Sequence, residues 1–447
     1  MTIEVSPSSI SDSLLDRDAF LTGLLNQVSA SEKSGWIQQI KNDAVKWVRH
    51  SVIPNTRDEE WRFTDLSALK EVSFNLSTFQ ETTVNGLPEF AHRLVFVNGV
   101  FAENLSNTEN LPAGLKVGNL DVLGDDVAEK YLAQSEGTRD VFTALNTAGL
   151  NDVAVVWVGK NVVVENPIHL LFISVTAEGA IISQPRCLVI AESNSQVSLI
   201  EEFITGNGEY LTGKMPVTQE EKVYFNNSVT EIWVNENAQV NHNRIVLEHD
   251  AAFHIGKTAV TQARYSRYSC NAVTVGGKIS RHNLEILQTG EQTETTLNGL
   301  TVIADKQLAD THSAISLNHP HGVSKQLHKC IIGDRAHGVF NGKVFVPKPA
   351  QLTDAAQLNR NLLLSSKARI DTKPQLEITA DNVKCAHGAT VSQLEDDEIF
   401  YLQSRGIDEN DARKLLVNAF AAEIINLIPV SSLREKLIKT VITLTNK

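Results

Sequence analysis

The period of the apolar positions changes twice along the chain. In residues 31–50, Trp36, Ile37, Ile40, Ala44, Trp47 and Val48 recur at helical spacing, with polar residues between them and Pro54 beyond the end, which predicts an amphipathic helix. A weaker pattern of the same period (Leu14, Leu15, Leu21, Leu24, Leu25, Val28) precedes it, so a helical N-terminal region is expected over residues 1–90. From about residue 91 to 392 the texture shifts to short runs of Val, Ile and Thr punctuated by Gly, Asn and Asp, such as Val197 to Ile200, Glu231 to Val234, Arg244 to Leu247 and Gly338 to Val344. That is the signature of strands and turns. Polar turn pairs recur at Asn194-Ser195, Asn237-Ala238, Gly290-Glu291 and Gly333-Asp334, with two gaps of roughly 42 residues that suit two coils of roughly 21 residues in a stacked solenoid. A β-sandwich with long loops satisfies the same texture, and spacing alone leaves both architectures open.

Helical grammar returns over residues 393–447. Asp396 is expected to open a helix that Gly406 closes, and Asp408 to cap a second with Asp411 three residues on. Leu416, Phe420, Ile424, Leu427 and Ile428 then form one face up to Pro429, and Leu433, Leu437, Ile438 and Val441 continue it. Such helices suit capping of an open solenoid end or docking of a second protein.

Charge narrows the partners. Lys and Arg total 40 against 53 for Asp and Glu, a net charge of −13, so the overall field repels phosphate backbones and argues against nucleic acid. The acidic first twenty residues lack the basic start and apolar run of a targeting peptide, and the apolar stretch near residues 170–175 is far too short to cross a bilayer. A cytoplasmic protein without membrane contact is expected. Cys187, Cys270, Cys330 and Cys385 are scattered and form no C-x-x-C, so reduced thiols are expected.

Three constellations invite chemistry. The run from Gly208 to Lys214 imitates a phosphate-binding loop but places Met215 where the magnesium-binding hydroxyl belongs, which disqualifies it. A histidine tract (His312, His319, His321, His328, His337, with Cys330 inside it) suggests a metal, yet its spacings match no closed tetrahedral pattern. Were it a site, the chain would be a metal-dependent β-helical enzyme using the 312–337 tract. On an extended strand Cys385 and His387 face the same side, and a thiolate beside an imidazole suits iron or iron–sulfur species. They make half a site, since a cluster needs more ligands than this strand supplies. The competing reading is a buried, small hydrophobic cysteine beside a hydrogen-bonded histidine. No catalytic triad, H-E-x-x-H or paired-carboxylate motif stands out.

The runs 333–346 (GDRAHGVFNGKVFV), 358–378 (LNRNLLLSSKARIDTKPQLEI) and 381–407 (DNVKCAHGATVSQLEDDEIFYLQSRGI) closely resemble the core of the SufB/SufD family of iron–sulfur cluster assembly proteins, and residues 54–64 (PNTRDEEWRFT) resemble the segment preceding its β region. Gly388 follows His387 where SufB relatives carry an acidic residue, so the stretch around it is similar to the SufD branch. The resemblance implies a right-handed parallel β-helix flanked by N-terminal and C-terminal α-helical regions, and a non-catalytic scaffold subunit with no catalytic residues. It implies edge-to-edge pairing with a SufB-like paralogue and docking of a SufC-like ABC ATPase on the C-terminal helices, with homodimerisation left open. His387 and Cys385 become candidate cofactor and metal ligands, completed by the partner chain, for an iron–sulfur cluster that is transient at the interface and not expected on the isolated chain.

Overall fold

The computed structural model describes residues 17–28, 35–84, 89–135, 140–176, 179–206 and 223–445. The β region is a parallel β-solenoid: from Arg186–Ala191 onward its strands alternate between an 11-stranded and a 10-stranded sheet, so each pairs in parallel with the strand two further along the chain. In register, Gln239, Arg267, Glu294, Val323, Asp354 and Lys384 stack one above the other. One coil therefore occupies roughly 30 residues, not roughly 21, and carries two long strands. The 42-residue gaps had two unrelated causes. Asn194 and Asn237 are successive occupants of one corner, in a coil whose sequence is longer by the residues after Gly206 that lie outside the described residues, whereas Gly290 and Gly333 lie at opposite corners.

One corner explains why a solenoid forms here. Asn161, Asn194, Asn237, Tyr265, Gln292, His321 and Leu352 all adopt positive φ, between 54° and 64°. The N–H of each donates to a carbonyl of the following coil, as Asn194 does to Glu236 and His321 to Gln351. Among residues with a side chain, asparagine is one of those that tolerate this conformation best. The first three also link through their side chains, Asn237 Nδ2 to Asn194 Oδ1 at 2.9 Å and Asn194 Nδ2 to Asn161 Oδ1 at 2.8 Å.

Both sheets are covered on their outer faces, as parallel sheets require. The N-terminal helices Ala19–Leu25 and Trp36–His50, with Val141–Ala148, pack Leu21, Leu24, Val48, Phe142 and Leu145 against Phe225, Phe253 and Ile255. The expected helix over residues 31–50 is described from Trp36 and its first residues lie outside the described residues, as do Leu14 and Leu15 of the weaker pattern before it, whose Leu21, Leu24 and Leu25 are buried on the helix Ala19–Leu25. Trp47, assigned to the buried face, stands 43% exposed while Lys41 is buried and donates to the Leu150 carbonyl at 2.9 Å. The segment 54–64 straps this region to later coils. Thr64 Oγ1 donates to Asp310 Oδ2, Arg281 stacks 3.8 Å from the Trp61 ring, Glu60 meets His312 at 3.2 Å, and Lys373 Nζ donates to Glu59 at 2.6 Å.

At the C-terminus, helices Asp396–Ser404, Glu409–Ile425 and Ser431–Thr445 follow the last strand. Asp408 caps the second, accepting from the Asn410 and Asp411 N–H groups, and Gly406 has φ 87°. Asp396 lies inside the first turn, with Glu395 at the cap position. The buried stripe is Ala412, Val417, Ala421, Ile424, Ile425 and Ile428, continued by Leu433, Leu437 and Val441, and Leu427 is excluded from it. These helices do not cap the solenoid end. Their apolar stripe covers Ile245, Val273, Leu300 and Ile331 on the outer face of the second sheet, because that face otherwise presents a continuous row of aliphatic residues to water. Ion pairs pin them: Lys436 Nζ to the fully buried Glu202 at 2.8 Å, and Lys329 to Glu423 at 2.6 Å. Burial raises the Glu202 carboxyl, but Lys436 and His169 outweigh it and hold the pKa at about 2.

Candidate functional site

With the helices elsewhere, the last coil is an open mouth. Its strands, Arg369–Ile378 and Lys384–Ser392, each pair on one side only, with His337–Val346 and Asp354–Leu363. Their side chains are mostly exposed or half-buried, unlike those of the preceding coils. Cys385 stands beside Ala355 and His387 beside Gln357. Ala355 and Gln357 are both buried in the interior, so the shared register turns Cys385 and His387 inward, side by side on the rim. The i, i+2 expectation from the sequence holds.

The two donors differ. Cys385 is half-buried against the apolar interior, and that burial pushes its thiol above the ordinary range, with Asp354 adding to the effect. It is a neutral thiol at pH 7, so any metal it takes must displace a proton. His387 is exposed, and no side-chain hydrogen bond engages it among the described residues. Among those residues no group of three or more His, Cys, Asp and Glu is arranged to hold a metal ion, so the rim offers two donors.

Beneath the rim the interior is polar. Gln357 Nε2 donates to Gln326 Oε1 at 2.8 Å, and Gln326 Nε2 to Ser313 Oγ at 2.8 Å. Thr372 Oγ1 and Asn361 Nδ2 both donate to Asn359 Oδ1, at 2.8 and 2.6 Å. Deeper, Glu201 meets His242 at 3.0 Å, and His254 contacts Arg244 at 2.6 Å and Glu248 at 3.1 Å. Burial pulls the His242 pKa down, but Cys270 and Glu201 overcome it and lift it to about 9. The glutamine and asparagine rows escaped sequence reasoning. The signal was present as alternation in the strand Asp354–Leu363, where Ala355, Gln357, Asn359 and Asn361 occupy every second position.

The histidine tract is dispersed by the fold. His312 faces outward between Asp310 at 3.0 Å and Glu60 at 3.2 Å; burial lowers its pKa, and these carboxylates raise it further than burial lowers it. His337 pairs with Asp371 at 2.7 Å, and His319 and His321 lie in one corner loop. His328 points into the interior, stacked on Phe340, with burial holding its pKa at about 4. Cys330, also interior, is pushed up to about 12 by burial. Because strand residues alternate faces, a histidine-rich sequence does not become a histidine-rich site. The phosphate-loop imitation at Gly208 to Met215 lies outside the described residues. All four cysteines are free thiols.

The family model described as "SUF system FeS cluster assembly, SufBD core domain" matches residues 172–420, and "SufBD protein N-terminal region" matches residues 24–170. A Synechocystis protein named as an iron–sulfur cluster assembly SufBD family protein is 50% identical over 86% of this chain and 86% of its own length. The chloroplastic protein ABCI7 of Arabidopsis thaliana is 35% identical over 92% of this chain and 87% of its own. The Escherichia coli iron–sulfur cluster assembly protein SufD is 30% identical over 86% and 88%. With a parallel β-solenoid flanked by helices, and both family regions matched in order along it, the chain belongs to the SufBD family of iron–sulfur cluster assembly proteins.

Proposed function

We propose that this chain is the non-catalytic, ligand-donating half of a heteromeric SUF scaffold. The observation that carries the reading is the open solenoid mouth, with two edge strands that each pair on one side only and His387 and Cys385 together on its rim. An edge strand with free N–H and C=O groups is a template for a further strand. A SufB-like paralogue with the same architecture supplies one for each sheet, and edge-to-edge pairing continues the solenoid across the interface. Iron–sulfur clusters are held chiefly by cysteine thiolates, with histidine an occasional substitute. His387 and Cys385 leave the remaining ligand positions to the partner, and the cluster is cargo assembled between the two proteins.

The C-terminal helices fit a separate role, docking a SufC-like ABC ATPase. Their apolar stripe is consumed by the second sheet, while Phe400, Tyr401 and Leu415 stay 68%, 57% and 49% exposed. Exposed aromatics are typical anchors of a protein interface.

Edge pairing is tested by Val391→Lys. Val391 is 52% exposed on the last strand, so the substitution spares the fold and places a charge where the partner strand would lie. Size-exclusion chromatography of the variant mixed with a SufB-like chain and the ATPase is expected to show loss of co-elution with the SufB-like chain. Co-elution equal to wild type contradicts the pairing.

A further inference from the structure

The two strands at the mouth are not equivalent edges. Along a parallel strand, alternate residues point both backbone groups to the same neighbour. The Arg369 N–H donates to the Ala336 carbonyl at 3.0 Å and the Thr379 N–H to the Val346 carbonyl at 2.9 Å, with unbroken register between them. Odd-numbered residues of Arg369–Ile378 therefore bond back to the preceding coil. The backbone groups of Ile370, Thr372, Pro374, Leu376 and Ile378 face outward, and the central residue of these has no N–H. On the other strand the Lys384 N–H donates to the Thr353 carbonyl at 2.9 Å, so Cys385, His387, Ala389 and Val391 face outward, each with a donor.

An added strand meets different conditions on the two sides. Along Lys384–Ser392 the outward donors stand about 6.6 Å apart, whereas Thr372 and Leu376 stand about 13 Å apart with the Pro374 ring between them. A partner carbonyl facing that ring has no donor and is held off by its methylene, which is how a proline on an edge stops strand addition. Its place in the mouth is specific. Pro374 stands in register with Gly342, and Gln357, the residue in register with His387, fills the space that a Cβ on Gly342 would occupy. One coil higher, Pro374 thus lies across the lumen from His387.

We infer that the joint with a SufB-like partner is one-sided, paired continuously along Lys384–Ser392 and held open at Pro374, and that this gap is a lateral entry for iron and sulfide to the rim donors. A way in from the side is needed, because the partner covers the mouth and the interlocked Gln357, Gln326 and Ser313 side chains close the interior beneath it. The inference rests on edge-to-edge pairing as the mode of association.

Amide hydrogen exchange read by mass spectrometry, on the full-length chain alone and assembled with the SufB-like protein and the ATPase, tests both edges. Assembly is expected to slow the outward amides of 384–392 by about ten-fold or more and to leave those of Thr372 and Leu376 within about two-fold of the isolated chain. Equal slowing on both strands overturns the one-sided joint while edge pairing stands; slowing on neither overturns both. Pro374→Ala returns the missing N–H at a half-buried edge position. It is expected to extend protection across 370–378 and to slow anaerobic cluster formation on the assembly several-fold. Protection that does not extend, or a closed seam with an unchanged rate, overturns the entry. Should the alanine variant fold poorly, Pro374→Val restores the same N–H with a residue suited to strands and carries the same decision.

Discussion

Replacing His387 by Ala is expected to lower the yield of iron–sulfur cluster on the assembled complex by about ten-fold or more, a loss at least as large as those seen when the outer partners of metal ligands are removed. The chain itself should be unperturbed. His387 is exposed on an edge strand and engages no side-chain partner among the described residues, so its removal is expected to change stability by no more than about 0.5 kcal/mol. Few ligand substitutions separate function from folding so cleanly. Cys385→Ser is the companion variant: it removes the soft sulfur while retaining a small side chain against the interior. A cluster yield on the His387→Ala complex equal to wild type, measured by iron, acid-labile sulfide and visible absorbance, strikes this residue from the ligand set.

The second large effect falls far from the mouth. Arg186→Met is expected to destabilise the protein by about 3–5 kcal/mol, the cost of leaving a buried carboxylate without its cation. Arg186 and Glu231 are 1% and 0% exposed and make a close ion pair. Arg186 Nη1 also donates to Asn146 Oδ1 at 3.0 Å and Thr147 Oγ1 at 3.1 Å, while Glu231 accepts from the Ala133 N–H at 3.0 Å. The network thereby fixes the helix Val141–Ala148 and the backbone at Ala133 on the first sheet. Methionine fills the volume of the aliphatic stem but leaves Glu231 charged among groups that cannot neutralise it. Urea unfolding followed by circular dichroism measures the loss. The double variant R186M/E231M is expected to recover part of it, since an apolar pair avoids the uncompensated charge. A single-variant loss below about 1 kcal/mol would mean that the carboxylate keeps access to water.

The repetitive part of the fold was legible because strand chemistry is local: β-branched runs and Asn or Gly turns declare themselves one coil at a time. Coil length was not, because Asn194 to Asn237 and Gly290 to Gly333 show the same spacing for different geometric reasons, and only strand register distinguishes them. The amphipathic C-terminal helices were readable, including the Asp408 cap, but not what they cover. Their apolar stripe meets the side of the second sheet, a long-range choice decided by the aliphatic row it found there. Cys385 and His387 could be paired from their spacing alone. Gln357 could not be joined to them, since it is brought beside His387 by parallel register across a complete coil. Arg186 and Glu231, far apart in sequence, gave no local signal of their pairing.

A single comparison bears most directly on the account. Iron and acid-labile sulfide are measured on this chain alone and on the same chain assembled with a SufB-like protein and the ATPase, each after anaerobic reconstitution. Near-zero content alone and a stoichiometric cluster in the assembly is the predicted result; a full cluster on the solitary chain, or none in the assembly, would contradict a scaffold whose site is completed by its partner.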